Sequence, residues 1–242
     1  MTAHEGMKRG VDAVVIGASA GGIEALSVLL PALPAGLRAP VFVVLHLPRE
    51  RPSLLVEIFQ RKCALPVREA EDKEPVERGT VYFAPPDYHL LVDEGPQLAL
   101  SADELVHYSR PSIDVLFESA ADVYADRLLG IILTGASEDG ASGLEAVHRA
   151  GGWTVVQQPG TAHASLMVES ECDAGGFRST LSVAAPFVWR CLTRSPVAPV
   201  STPRSSNRTC RFAASGSRTR RHAFTHDGPR PSWVRRTSPK CP

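Results

Sequence analysis

No stretch of this chain is apolar for long enough to cross a bilayer. The longest candidates, PVFVVLHLP and LLGIILTGA, fall well short of the roughly 18 residues that a spanning helix needs, so membrane insertion is not expected. A secretory leader is not expected either. Lys8 and Arg9 precede an apolar stretch, but Asp12 interrupts it and only Ala13 to Ile16 is uninterrupted, a poor h-region. A cytoplasmic protein is the expectation. Cysteine is scarce: Cys63, Cys172, Cys191, Cys210 and Cys241 are odd in number and scattered, with no C-x-x-C and no Cys/His spacing suited to zinc. That points to a reducing compartment and to no metal. Nor is there a G-x-x-x-x-G-K-[ST] phosphate loop.

The chain also has no net charge, yet this conceals an asymmetry. Residues 193–242 hold ten arginines and Lys240 against Asp227 alone, a balance of +10, while residues 1–192 stand at −10. The basic segment is rich in Ser, Thr, Pro and Arg and has no period of 2 or 3.6. It cannot bury enough apolar surface to offset the entropy of ordering, so it is expected to be disordered by itself. A nonfunctional extension is the plain reading of it, and a basic anchor for nucleic acid or anionic lipid the alternative. Nucleic-acid binding is not expected to be the main role. The expected organisation is a short arm over 1–11, one catalytic domain over 12–192 and a basic tail over 193–242.

What is present in the first part is an alternation of strand-like and helix-like segments, the pattern of an α/β fold with a mostly parallel, doubly wound sheet and helices on both faces. Strands are expected at Asp12 to Ile16, Val41 to Leu45, Thr80 to Ala84, Leu128 to Leu133 and Thr154 to Val156, the last clear strand. Helices are expected at Gly22 to Leu30, Ser53 to Arg61 (with Ser53 as N-cap), Ser112 to Ala125 and Gly140 to Arg149, the last ended by Gly151-Gly152. His89 to Val92 and Gln97 to Leu100, joined by DEGP, read as an antiparallel hairpin.

Ligands of open parallel sheets bind outside the carboxyl ends of the strands, where the strand order reverses. Three polar residues hold such positions: Ser19 after the first strand, His46 after the second, and Asp139 in LTGASEDGASG after the strand Leu128 to Leu133. Ser19 and His46 are 27 residues apart, close to one strand–helix–strand unit of about 30 residues. Matching ends of paired strands lie about 4.8 Å apart, so the two can meet. Spacing does not settle the place of Asp139; an order of 3-2-1-4 would bring all three together. A serine hydroxyl needs an imidazole to take its proton, and that imidazole needs a carboxylate to fix its tautomer. Backbone N–H groups of Gly21, Gly22 and the turn Gly135-Ala136-Ser137 are candidates to hold an oxyanion. Gly17-Ala18-Ser19-Ala20-Gly21 also fits G-x-S-x-G, although the order Ser, His, Asp and the short lead before the strand disfavour an α/β-hydrolase fold.

Taken together, GASAGG, VVLHLP, YFAPPDYHLLV, RPSIDVLF and ILTGASEDGASGLEAVHRAGGWTVVQ resemble the catalytic domain of CheB, the chemotaxis protein-glutamate methylesterases, collinearly from about Asp12 to Gln158 and more weakly to about Val188. The resemblance implies a serine hydrolase that removes methyl esters from glutamate side chains on the cytoplasmic domains of chemoreceptors, with glutamine deamidation as a related activity. It implies Ser19 as nucleophile, His46 as base, Asp139 as the orienting carboxylate and the Ala136 amide as an oxyanion donor, with no cofactor. Where relatives commonly read T-G-M-G-x-D-G this chain has Thr134-Gly-Ala-Ser-Glu-Asp-Gly140, and a common Met-Pro is Met167-Val168. Relatives with a receiver domain are phosphorylated in cis; here the first strand begins some eleven residues in. Regulation in cis is therefore not expected, and a separate receiver protein is the candidate partner.

Competing readings attach to several residues. Ser19 as a helix-opening or phosphate-loop residue belongs with a dinucleotide site, but the second glycine of G-x-G-x-x-G is missing and no acid ends the second strand. Asp139 is also suited to cap the helix that follows it. His89 is the strongest rival base, or else a residue lining the cleft or capping the hairpin. Arg110 is either a contact for substrate carboxylates or half of a salt bridge, His148 is expected on a solvated face, and His163 falls in a segment without clear structure. A catalytically silent scaffold of the same fold, docking a receptor or signalling protein, is the alternative of a different class.

Overall fold

Short β-branched runs bounded by glycine and proline build the sheet, and longer runs of period 3.6 cover it. The structure is a computed structural model and describes residues 10–48, 53–95, 97–169 and 179–181. In chain order its elements are β1 (Ala13–Ala18), α1 (Gly22–Leu29), β2 (Val41–Leu45), α2 (Leu55–Gln60), β3 (Val67–Glu69), β4 (Val81–Phe83), β5 (His89–Asp93), β6 (Gln97–Ser101), α3 (Ile113–Tyr124), β7 (Leu128–Ile132), α4 (Ala141–Arg149), β8 (Trp153–Gln157) and β9 (Ser179–Leu181). The expected tail 193–242 lies outside the described residues.

Seven strands pair in the order β3-β4-β2-β1-β7-β8-β9, each pair parallel. Every residue of β1, β2 and β7 is buried, as expected for strands covered on both faces, which read as continuous apolar runs. Alternate residues serve two cores. Val14, Ile16, Val41 and Val43 pack with Leu26 and Leu29 of α1 and with Leu55 and Phe59 of α2. Ala13, Val15, Phe42 and Val44 pack with Ile113, Leu116 and Phe117 of α3, Leu144 and Val147 of α4, and Leu90 and Leu98 of the hairpin. That hairpin, β5 with β6, is a separate antiparallel pair.

Two edge strands depart from the sequence expectation. β3 pairs with β4 through Val67–Glu69, and β9 extends the sheet beyond β8, so Thr154 to Val156 is not part of the last strand. Each has three residues of which only one is apolar, unlike the equally short but wholly apolar β4. Ser53 stands one residue before the N-cap of α2, and its hydroxyl accepts from Leu55 N at 3.2 Å.

The order reverses beside β1. From β1 the chain crosses to β2 on one side, and from β7 to β8 on the other. The crevice this leaves lies at the carboxyl ends of β1 and β7, the place where open α/β sheets bind ligands.

Candidate active site

Ser19 follows the last residue of β1 and is half-buried. Its N–H donates to Thr134 O (2.9 Å) and its carbonyl accepts from Gly22 N (2.9 Å), closing the turn that opens α1. Gly21 at the centre of that turn is left-handed (φ 79°), and a Cβ there would stand 2.5 Å from Cβ of His163. Only glycine satisfies both demands.

His46 continues β2. Ala18 is in register with Leu45, and the His46 N–H donates to Ala18 O at 3.1 Å, so Ser19 and His46 occupy adjacent strand ends. The imidazole Nε2 donates to Asp139 Oδ2 at 2.8 Å, with the His46 side chain 13% exposed and the Asp139 side chain wholly buried. The structure thus joins two of the three expected residues directly and sets the third on the neighbouring strand end. Among the described residues the Ser19 hydroxyl makes no hydrogen bond to the His46 ring. Catalytic hydrogen bonds of this kind commonly tighten only once substrate is bound.

Asp139 accepts more than the histidine. Ser112 Oγ donates to Oδ1 (2.7 Å), Ile113 N to Oδ2 (2.7 Å) and Asp114 N to Oδ1 (3.1 Å). Its carboxylate therefore occupies the N-terminus of α3, whose exposed amides favour an anion. Burial pushes its pKa up, but the hydrogen bonds from His46, Ile113, Ser112 and Asp114 outweigh this and hold it below the usual carboxylate range. The expected cap of the helix following Asp139 is not formed by its own carboxylate. Gly140 is the N-cap of α4, and the acceptor for that helix is Asp114 Oδ1, which takes Gly140 N at 3.0 Å and Gly143 N at 2.6 Å.

Ala136 lies exposed in the loop between β7 and α4, and its N–H makes no hydrogen bond among the described residues. Gly135 beside it is in close contact with the Ser19 turn: a Cβ on Gly135 would lie 3.0 Å from Ser19 Cβ and 2.6 Å from Met167 Cε. The same loop is stitched to the segment that follows β8. Gly135 N donates to Ala164 O (3.0 Å), Met167 N to Gly135 O (3.0 Å), and the Thr134 hydroxyl donates to Ala20 O (2.8 Å) while accepting from Ala164 N (2.9 Å). Residues 162–167 so form a wall of the site, with His163 over Gly21.

The rival assignments separate cleanly. His89 is buried with both nitrogens occupied, Nδ1 accepting from Ser112 N (3.1 Å) and Nε2 paired with Glu104 O (3.0 Å); it has no lone pair for a substrate. Arg110 is held by Asp87 (2.7 Å) and by the carbonyls of Ala102 and Asp103 (2.7 and 2.8 Å), clamping the hairpin to the start of α3. His148 lies half-buried on α4, and its Nδ1 is enclosed without a hydrogen-bond partner among the described residues. Among the described residues no group of three or more His, Cys, Asp and Glu is placed to hold a metal, and no helix is long and apolar enough to cross a membrane.

Ser112 and Asp114 were not picked out by sequence as site residues. The signal was present in RPSIDVLF, where an N-cap serine is followed two positions later by an acid, but its target lies 25 residues on.

Fold and site together define a doubly wound α/β domain with a polar cluster of hydrolase type at its switch point. The chain belongs to the CheB methylesterase family, whose model matches residues 14–185. A Leptospira interrogans relative is 45% identical over 172 residues, covering 71% of this chain and 89% of its own. A Symbiobacterium thermophilum protein named protein-glutamate methylesterase/protein-glutamine glutaminase is 41% identical over 170 residues, 70% of this chain but 47% of that protein, so the chain spans about half of that longer relative. The crystal structure of the Thermotoga maritima CheB methylesterase catalytic domain superposes with a TM-score of 0.71 at 31% identity, covering 76% of this chain and 98% of that one.

Proposed function

We propose that the protein is a protein-glutamate methylesterase acting on methylated cytoplasmic domains of chemoreceptors, with Ser19, His46 and Asp139 as its catalytic residues. The observation that carries this reading is the buried Asp139 bonded to His46 at 2.8 Å, on the strand end adjacent to Ser19. With Nε2–H committed to Asp139, Nδ1 is the nitrogen left to take the Ser19 proton. The Ser19 oxygen attacks the γ-ester carbonyl as His46 accepts that proton, and Asp139 stabilises the imidazolium without itself being protonated. The negative charge on the carbonyl oxygen falls to the Ala136 N–H, with the Gly21 N–H as second donor, since the Gly22 N–H is bonded to Ser19 O.

Collapse of the tetrahedral intermediate expels methanol, which takes the proton back from His46. Water then attacks the acyl-serine with the same base, and the glutamate carboxylate and the Ser19 hydroxyl are restored. A glutamine side chain entering the same cycle loses ammonia in place of methanol. None of these steps calls for a cofactor.

Incubation of the full chain with a methylated receptor is the test, with released methanol as the readout. Release that disappears in Ser19→Ala supports the assignment. Receptor binding without release by the wild-type chain overturns it and favours the scaffold. A separate receiver protein is the proposed regulator, to be sought as an addition that changes the rate.

A further inference from the structure

Asp114 touches the candidate catalytic carboxylate from both ends. Its backbone N–H donates to Asp139 Oδ1 (3.1 Å), and its own carboxylate receives the N–H of Gly140, the residue after Asp139, and of Gly143 one turn further on. The two helices are therefore capped crosswise: the acid before α4 sits on the N-terminus of α3, and the acid in the first turn of α3 sits on the N-terminus of α4. Neither carboxylate can shift without loosening the other. α3 and α4 pack directly through Phe117 and Gly143, where a Cβ would stand 2.6 Å from Phe117 Cβ and 2.9 Å from Asp114 Cα. Any larger residue at Gly143 would separate the two caps.

We propose that Asp114 is the positioning residue of the Asp139 carboxylate, fixing through Gly140 and Gly143 the point at which that carboxylate meets His46. The inference rests on the reading of Asp139 as partner of the catalytic base. A helix cap placed for stability alone would accept from α4 and have no bearing on the His46 ring. Here the cap holds the residue bonded to Asp139 and the N–H that binds it. The charged groups facing Asp114 are Asp139 from the loop, Glu118 from its own helix, and His107, whose Nε2 stands 3.6 Å away in the preceding turn. Of these only His107 is not an acid, and it is half exposed. The accepted N–H bonds, and not an ion pair, therefore do the holding.

The experiment compares full-length wild type, Asp114→Ala and Asp114→Asn, reading methanol release from a methylated receptor and, in the protein alone, the low-field proton resonance of the His46 Nε2–H bonded to Asp139. Asp114→Ala is expected to lower kcat by about 10- to 100-fold with KM little changed, as displacements near 1 Å do, and to lose or shift the resonance. Asp114→Asn, whose Oδ1 still accepts both amides, is expected to recover most of the lost kcat and to keep the resonance. If Asp114→Ala does not fold, Asp114→Glu replaces it, since one extra methylene moves the acceptor away while keeping the charge; the same losses are expected. A folded Ala or Glu variant with wild-type kcat and resonance overturns the proposal, as does a folded Asn variant as slow as Ala. If the wild type releases no methanol, the methylesterase reading fails, while the resonance still decides whether Asp114 positions Asp139.

Discussion

His46 and Asp139 are 93 residues apart in sequence and 2.8 Å apart in space, the imidazole half-buried and the carboxylate sealed from solvent. The contact exists because β2 and β7 flank β1 on opposite sides, so residues just past their carboxyl ends converge over the end of β1. Asp139 also has the first amides of α3 as partners, and it keeps its charge without exposure to water.

Asp139→Asn removes that charge and leaves the shape. The amide cannot fix the His46 tautomer, and on the proposed reading kcat is expected to fall about 10⁴-fold, by the precedent of the same substitution in a serine protease. Steady-state methanol release checks this, and circular dichroism confirms that the fold survives.

Ser112→Ala deletes one donor to Asp139 and the side-chain cap of α3, which accepts from Val115 N at 3.5 Å. The cap loss costs roughly 0.5–2 kcal/mol, to be read by urea unfolding. Asp139 retains His46 and two amides, so the fall in kcat should be smaller than for Asp139→Asn.

Gly135→Ala places a methyl against Met167 and the Ser19 Cβ. Overpacking of this kind costs about 1–3 kcal/mol, and here the strain is shared with Ser19. Both Tm and kcat are expected to drop, and Met167→Ala in the same chain should restore stability in part.

The two helix-capping acids have opposite pH signatures. Burial lifts Asp114 to about 6, helped by Asp139 and Glu118 and opposed by the Gly143 amide and His107. A group whose folded-state pKa is raised contributes stability that is full below the unfolded value, near 4, and lost as pH rises through about 6. Asp139, held below the usual range, contributes stability above the unfolded value that is lost only as pH falls through its lowered pKa. Asp114→Asn removes the first dependence. Its stability relative to wild type should rise by up to about 3 kcal/mol between pH 4 and 7. Urea titrations across that range check it, and a flat difference contradicts the prediction.

Much of this architecture was legible in the sequence because the informative strands are wholly buried. VVIG, VFVVL and LLGII are continuous apolar runs, each followed by a polar residue or a glycine turn, and that pattern located Ser19, His46 and the loop of Asp139. β3 (Val-Arg-Glu) and β9 (Ser-Thr-Leu) were missed because each has one apolar residue in three, whereas the equally short β4 is apolar throughout. The partner of Asp139 was not legible either, because a helix N-terminus advertises its cap and not the acid that arrives from a distant loop. The role of residues 162–167 was hidden for a related reason. Their contacts to Thr134 and Gly135 run through backbone groups, which every sequence possesses and none displays.

The pairing of Ala18 with Leu45 gives this site its tolerance and its fragility. Lengthening the connection between α1 and β2 would leave both strand ends where they are. One residue inserted within β2 would turn every following side chain to the opposite face of the sheet. His46 would then be carried away from both Ser19 and Asp139, with no residue of the site itself having been altered.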